Sequence, residues 1–198
     1  MKNQIKALVN KFTSNKEYYQ ESTYDETSTR IDFLNKFFEI FGWDVSNNAL
    51  LPENLREVIH EATIEVEEGN ITKKKKPDYQ FQIQGKGVFF VEAKKPSVDI
   101  SVSQKSVFQL RRYGWSAGMQ YSILTNFKET SFYDRTITPN ESDDVNVPRI
   151  AKLNYTEYVV KIEEIAKCLE KNVVEKNEFD LSNIRQFSDV DVYFLNQI

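Results

Sequence analysis

The chain has 198 residues, of which 40% are hydrophobic and 28% charged, and its formal net charge is −4. This composition is typical of a folded globular domain, and no apolar run approaches the roughly 20 residues of a membrane helix. With one cysteine, Cys168, and one histidine, His60, the chain can form neither an internal disulfide nor a zinc site of Cys and His ligands, so we expect a reducing, cytoplasmic location.

The net negative charge bears on whether the chain binds nucleic acid by itself. Most compact DNA-binding modules are strongly basic, so a free-standing DNA binder is disfavoured. A nuclease domain that other domains hold on DNA is less affected, because its active site must concentrate acidic groups to bind a metal.

The N-terminal part of the sequence predicts two helices. Residues 1–20 are amphipathic, and a second helix over 25–41 ends at Gly42, a common helix terminator. The apolar residues of this second helix recur at helical spacing. At roughly 100° per residue, Glu26 and Arg30 fall within the same apolar stripe, where charged residues are unusual.

The rest of the chain predicts strands followed by mixed elements. We expect strands over 58–66, 78–84, 88–94, 121–126 and 130–134, helices over 102–117 and 154–169, a polar loop over 139–148, and a last helix after Ser188. This order predicts an α/β fold with a small mixed sheet flanked by helices.

Three segments divide the chain in this interpretation. Residues 1–23 form a helical extension, residues 24–150 the core domain, and residues 151–198 a helical connector. Because the apolar pattern of the last helix is still running at Ile198, we expect the chain to be part of a longer protein with a further C-terminal region.

Three polar residues on the middle strands form the candidate active site. Glu92 and Lys94 lie two apart on one strand and therefore point to the same side, and a hairpin can bring Asp78 beside them. Glu92 follows an apolar run, and a carboxylate on such a buried strand is costly unless it is paired or binds a metal.

This set of groups suits hydrolysis of a phosphodiester bond. Mg²⁺ prefers oxygen ligands and is commonly anchored by one or two carboxylates, here those of Asp78 and Glu92, with the carbonyl of Ala93 as a further ligand. Mn²⁺ can substitute for it. Lys94 would orient or deprotonate water and stabilise charge. A chance occurrence of these three common residues remains the alternative explanation.

A helix that follows the strand pair adds a second polar group. Gln109 and Tyr113 share one helix face, and they flank the basic pair Arg111 and Arg112, which suits contact with a phosphate backbone. The run Lys73–Lys76 leads into the catalytic strand; it is either a solvated loop or a contact to DNA backbone.

In this order and spacing, the residues resemble the PD-(D/E)xK nucleases that carry a QxxxY motif. More narrowly, residues 24–135 resemble the N-terminal nuclease domain of type I restriction subunits and of type IIG restriction–modification enzymes. The matching segments are Thr29-Arg30, Phe41-Gly42-Trp43-Asp44-Val45, Lys76-Pro77-Asp78-Tyr79, Phe90-Val91-Glu92-Ala93-Lys94-Lys95-Pro96, Gln109-x-x-x-Tyr113, Ile123-Leu124-Thr125-Asn126 and Phe132-Tyr133-Asp134.

The resemblance implies a Mg²⁺-dependent deoxyribonuclease that acts on double-stranded DNA. Asp78, Glu92 and Lys94 would be catalytic; the metal would be held by Asp78, Glu92, Ala93 and Glu26, the last matching an acidic residue that the family often has on its first helix. The contacts to phosphate or DNA would be Gln109, Tyr113, Arg30, Arg111 and Arg112. For Glu26 and Arg30, fraying of the helix or pairing with each other is the alternative.

The expected partners are methyltransferase or helicase domains of the same protein. We expect no association with a membrane. Two rival functions stay open: a repair or recombination nuclease of the same fold, and a non-catalytic domain that binds DNA or docks another protein.

Overall fold

A six-stranded mixed sheet forms the centre of the computed structural model, which describes residues 1–68, 71–176 and 178. Its strands lie in the order β1 (Val58–His60), β4 (Tyr79–Ile83), β5 (Lys86–Ala93), β6 (Tyr121–Thr125), β7 (Glu129–Asp134) and β8 (Arg149–Asn154). A separate two-stranded sheet pairs β2 (Ile64–Glu68) with β3 (Ile71–Lys75).

Helices cover both faces of the central sheet. They are α1 (Lys2–Ser14), α2 (Lys16–Tyr19), α3 (Glu26–Thr29), a π-helical segment (Arg30–Leu34), α4 (Asn35–Ile40), α5 (Gln104–Ser116), α6 (Ile162–Leu169) and α7 (Lys171–Glu175), with 3-10 turns at Glu53–Leu55 and Tyr155–Glu157. The predicted α/β class, a small mixed sheet flanked by helices, is confirmed. No helix within the described ranges is long and apolar enough to cross a membrane.

One parallel strand pair organises the sheet. β5 and β6 run parallel and are joined through α5, whereas the other neighbouring strands of the central sheet pair antiparallel. A parallel pair requires a crossover connection, and α5 supplies it. As a result, α5 lies across the sheet directly beside the strand that carries Glu92.

Alternation along β5 separates two hydrophobic cores. Phe89, Val91 and Ala93 join the larger core, which contains residues of α1, α4 and α6, whereas Phe90 joins the smaller core under α5. Because side chains alternate along a strand, Glu92 faces the α5 side together with Phe90.

Both ends of the described chain pack into the larger core. Phe12 of α1 is fully buried and its ring lies 5.4 Å from that of Phe33 and 4.9 Å from that of Tyr155. The indole nitrogen of Trp43 donates a 2.7 Å hydrogen bond to the carbonyl of Leu169, which ties α6 to the N-terminal half. The expected boundary at residue 150 falls inside β8.

Several predicted elements differ from the structure. The strand expected over 58–66 is interrupted because Glu61 adopts a left-handed φ of 51°, so β1 ends at His60 and β2 starts at Ile64. A solvated loop was one of the two interpretations of the lysine run, but Lys73–Lys75 belong to β3. β8 was not predicted, and the helix expected over 154–169 is regular only from Ile162. The helix expected after Ser188 lies outside the described residues.

Candidate active site

Asp78 is fixed at the edge of the sheet where β4 begins. The register pairs Tyr79 with Val91, which brings the residue before Tyr79 beside the end of β5. The backbone N–H of Ala93 donates a 2.7 Å hydrogen bond to Oδ2 of Asp78. The hairpin therefore brings Asp78 next to Glu92 and Lys94, the juxtaposition that the sequence predicted.

Glu92 is the most deeply buried acid of this group, with 8% of its side chain exposed. Its Oε1 accepts hydrogen bonds from Nζ of Lys94 at 3.0 Å and from Nε2 of Gln109 at 3.2 Å, while its Oε2 is buried without a partner. Burial raises the pKa of Glu92 to about 7; Asp78 and Glu26 add to the rise and Lys94 opposes it.

The ammonium group of Lys94 lies where three oxygens converge. Besides Glu92, it donates to the carbonyl of Ala93 at 2.7 Å and to Oε2 of Glu26 at 3.4 Å. Burial lowers the pKa of Lys94, but the surrounding carboxylates, Glu92 first, raise it above its ordinary value. Lys94 is thus a cation at neutral pH and neutralises part of this acidic group.

Glu26 reaches the same place from the start of the helical region. Asp25 caps α3 by accepting a hydrogen bond from the backbone N–H of Ser28, and this fixes the first turn on which Glu26 lies. Burial raises the pKa of Glu26 and the charge of Lys94 lowers it, leaving it above the ordinary value. Glu26 and Lys94 form an ion pair at 3.4 Å.

Arg30 holds Asp78 from the other side. Its NH1 lies 3.3 Å from Oδ1 of Asp78, and its guanidinium stacks 4.9 Å above the ring of Tyr79. Arg30 also contacts Nδ1 of His60 at 3.2 Å and Oε1 of Glu61 at 3.6 Å. It starts the π-helical segment, a type of irregularity that is frequent at functional sites.

Three of these partners were not predicted as part of the site. They are His60, Glu61 and Tyr79, which the sequence did not assign to metal binding, catalysis or DNA contact. Tyr79 directly follows Asp78, so alternation places the two on opposite sides of the strand end. The sequence held no local signal for Glu61, because its left-handed φ of 51°, which ends β1, falls on a residue type that does not favour that conformation.

The polar residues of α5 split into two directions. Gln109 contacts Glu92, and burial raises the pKa of the neighbouring Tyr113 hydroxyl to about 12, with the charge of Glu92 adding to the rise. Arg111 points the other way: it is 3% exposed, pairs with Asp143 at 2.6 Å and donates to the carbonyls of Ile137 and Thr138.

Arg111 is therefore removed from the predicted DNA contacts. A buried arginine held by a carboxylate and two carbonyls supports the 139–148 loop and has no surface to offer a phosphate. Its neighbour Arg112 lies on the other side of α5, half-buried, with its guanidinium 5.3 Å from the ring of Phe108.

The oxygens of this site fit a hard cation such as Mg²⁺. Within residues 1–68, 71–176 and 178, no three His, Cys, Asp or Glu side chains are grouped closely enough to hold a metal by themselves. The unpartnered Oε2 of Glu92, the carbonyl of Ala93 and the carboxylate of Asp78 supply oxygen ligands, and Mg²⁺ typically keeps several waters in addition.

Comparison with known proteins gives the family of the chain. Residues 5–141 match the family model described as "Type I restriction enzyme R protein N terminus". The "Type II restriction enzyme and methyltransferase RM.Eco57I" of Escherichia coli is 41% identical over 203 residues; the match includes 100% of this chain and 20% of that protein. The chain thus spans about a fifth of the length of this curated relative.

A solved structure was also found. The type IIG restriction endonuclease BpuSI covers 84% of this chain, which matches 17% of that protein, with a TM-score of 0.41 and 17% sequence identity. The family match covers well over half of the residues. The chain therefore belongs to the family of type I restriction enzyme R protein N-terminal domains.

Proposed function

We propose that this chain is the Mg²⁺-dependent endonuclease domain of a restriction–modification enzyme and hydrolyses phosphodiester bonds of double-stranded DNA. One observation carries the proposal: Asp78, Glu92 and Lys94 converge at one sheet edge, and Glu92 keeps a buried oxygen without a hydrogen-bond partner. Burying an unpaired carboxylate is costly, and a bound cation would offset that cost.

Each residue has a distinct task in this proposal. Asp78, Glu92 and the carbonyl of Ala93 would hold the metal, with Glu26 as an outer carboxylate. The bound metal supplies charge neutralisation and lowers the pKa of water. Lys94 carries its proton on Nζ and donates hydrogen bonds toward the phosphate or the attacking water.

Two further residues position the ligands. Arg30 fixes Oδ1 of Asp78, and the N–H of Ala93 fixes Oδ2, so that this carboxylate cannot rotate freely. Gln109 donates to Oε1 of Glu92 at 3.2 Å. Such support of the ligands is what keeps a metal site within catalytic geometry.

The relatives support a division of labour between domains. The chain matches only a fifth of a protein whose name includes a restriction enzyme and a methyltransferase. We therefore propose that sequence recognition lies elsewhere in the same protein, whose further domains include a methyltransferase if it is a type IIG enzyme or a helicase if it is a type I enzyme.

The test is cleavage of plasmid DNA by the full-length enzyme that carries this domain, with Mg²⁺ or with EDTA. Asp78→Asn and Glu92→Gln should abolish metal-dependent cleavage, while Glu17→Gln, a change of an exposed glutamate on α2, should leave it intact. Cleavage at the wild-type rate in either site variant would contradict the proposal. A wild-type protein that binds DNA but never cleaves it would favour a non-catalytic domain.

A further inference from the structure

The β2–β3 hairpin lays one of its faces on α5. Ile64 and Val66 are buried in the smaller core that also contains residues of α5. The register pairs Ile64 with Lys75 and Val66 with Lys73. Directly opposite residues of an antiparallel pair share one face of the sheet, so Lys73 and Lys75 belong to the face that meets α5.

Lys74 belongs to the other face of the same hairpin. It pairs with Glu65 in the register, and both are exposed. The lysine run is thus divided by the alternation of a strand, one lysine turned away from α5 and its two neighbours turned toward it. A loop would not have imposed this division.

A groove of about 210 Å³ lies between the hairpin and α5. Within the part of the chain that the structure describes, its charged lining consists of Lys75, Lys105, Arg112 and the carboxylate of Glu141, and Phe108 lies between Lys105 and Arg112 along the helix. Lys105, Phe108 and Arg112 are three and four residues apart and share one helix face.

The groove continues directly from the candidate active site. Gln109, which donates to Glu92, and Tyr113, which is next to it on α5, line the groove as well. A DNA strand whose scissile phosphate lay at Glu92 and Lys94 would therefore pass along this groove with its neighbouring phosphates.

We propose that this groove binds the DNA backbone next to the scissile phosphate, through Lys75, Lys105 and Arg112. The proposal rests on the nuclease function proposed above and extends it to residues of β3 and α5. Phe108 acts as a positioning residue, because its ring lies 5.3 Å from the guanidinium of Arg112 and limits the directions in which that group can point.

Size and charge favour a phosphate backbone over a separate small ligand. Pockets for drug-sized ligands usually measure roughly 300–1,000 Å³ and are mainly apolar. This groove is smaller, and three cations face one carboxylate. Arginine and lysine contacts to phosphate position a duplex without reading its sequence, which agrees with recognition elsewhere in the protein.

The test is a salt titration of DNA binding by the 198-residue chain in EDTA, so that no cleavage occurs. Fluorescence anisotropy would follow a fluorescein-labelled duplex of mixed sequence. Removing one phosphate contact should lower the slope of log K against log salt by about 0.9 and weaken binding about eightfold at roughly 0.1 M salt.

Lys75→Ala and Lys105→Ala should both show this loss. Lys74→Ala is the matched control, since it removes the same charge from the same strand but from the opposite face, and it should keep the wild-type slope. Lys105 is exposed on α5, so its variant serves even where a change in the hairpin disturbs folding.

The outcomes separate this proposal from the nuclease function. Equal slopes for Lys74→Ala, Lys75→Ala and Lys105→Ala would overturn the proposal that the groove binds DNA. Absence of DNA binding by the wild type at the lowest salt would overturn it as well. Neither outcome would contradict the nuclease function, which is tested separately by cleavage with the full-length enzyme. The expected slope changes in a protein that never cleaves DNA would keep the groove and remove the nuclease function.

Discussion

Replacing Glu92 with glutamine tests the electrostatics of the site without any substrate. Burial raises the pKa of Glu92 from its ordinary 4.5 to about 7. Between these values the unfolded chain carries an ionised Glu92 while the folded chain still holds the proton. Glu92 therefore stabilises the folded state relatively at low pH, and its contribution to the free energy of unfolding is lost as the pH rises toward and through 7.

The magnitude follows from the shift in pKa. One pKa unit corresponds to about 1.4 kcal/mol, so the shift from 4.5 to about 7 amounts to about 3 kcal/mol of unfolding free energy. With 8% of the side chain exposed, solvent screens this effect little. Glutamine has nearly the same shape as glutamate and cannot ionise. The unfolding free energy of Glu92→Gln should therefore not fall in this way as the pH rises.

The assay is urea unfolding of both proteins in EDTA at a series of pH values. The unfolding free energy of Glu92→Gln minus that of the wild type should rise by about 3 kcal/mol between pH 4.5 and 8. Glu17→Gln, which alters an exposed glutamate, controls for the change of residue type. A difference that stays constant over this pH range would refute the reasoning.

Adding Mg²⁺ extends the experiment to the proposed metal site. A cation bound by the carboxylate favours its charged form, and binding to the folded state alone raises stability. Mg²⁺ should therefore restore stability to the wild type at pH 8 and leave Glu92→Gln nearly unchanged. Equal stabilisation of both proteins would show that Glu92 does not hold the ion.

Three further predictions follow from the site and its surroundings. Arg111→Ala should lower the unfolding free energy in urea by roughly 2–3 kcal/mol, because it leaves Asp143 without its partner, whereas Arg112→Ala should change it little; equal losses would contradict the assignment. Lys94→Ala should bind Mg²⁺ in calorimetry yet cleave roughly 10²–10⁴-fold more slowly, and loss of metal binding would show that Lys94 holds the ligands together. The 198-residue chain alone should bind DNA weakly and without sequence preference, given its charge of −4, and submicromolar binding to one defined duplex would place recognition within it.

The proximity of Asp78, Glu92 and Lys94 could be predicted from sequence because strand alternation is a strict geometric rule. Glu92 and Lys94 must share a side, and the short hairpin at Gly85 leaves Asp78 opposite the end of β5. The apolar run before Glu92 also indicated that its carboxylate would be buried. These statements needed only local periodicity, which the sequence carries in full.

The two arginines of α5 that the sequence proposed as DNA contacts could not be separated in the same way. Arg111 and Arg112 are adjacent, so their proximity to Gln109 and Tyr113 gives no reason to prefer one of them as a DNA contact. Which of the two is buried depends on Asp143, 32 residues farther along the chain, in a loop whose path has no periodic signal. Likewise, the face of the hairpin on which each lysine of β3 lies is determined by the pairing with β2.

The arrangement of charge around Lys94 supports the proposal that a divalent cation binds at this site before a phosphate does. Three carboxylates, those of Asp78, Glu92 and Glu26, face the two cations Lys94 and Arg30. An approaching phosphodiester would meet net negative charge, and the raised pKa of Glu92 shows that the folded site already resists full ionisation. A divalent ion held there, as proposed, would reverse that balance, and Lys94 could then turn its proton donors toward the substrate. The strength of metal binding should therefore depend on Glu92 more than on Lys94, which is the order that the two substitutions above would measure.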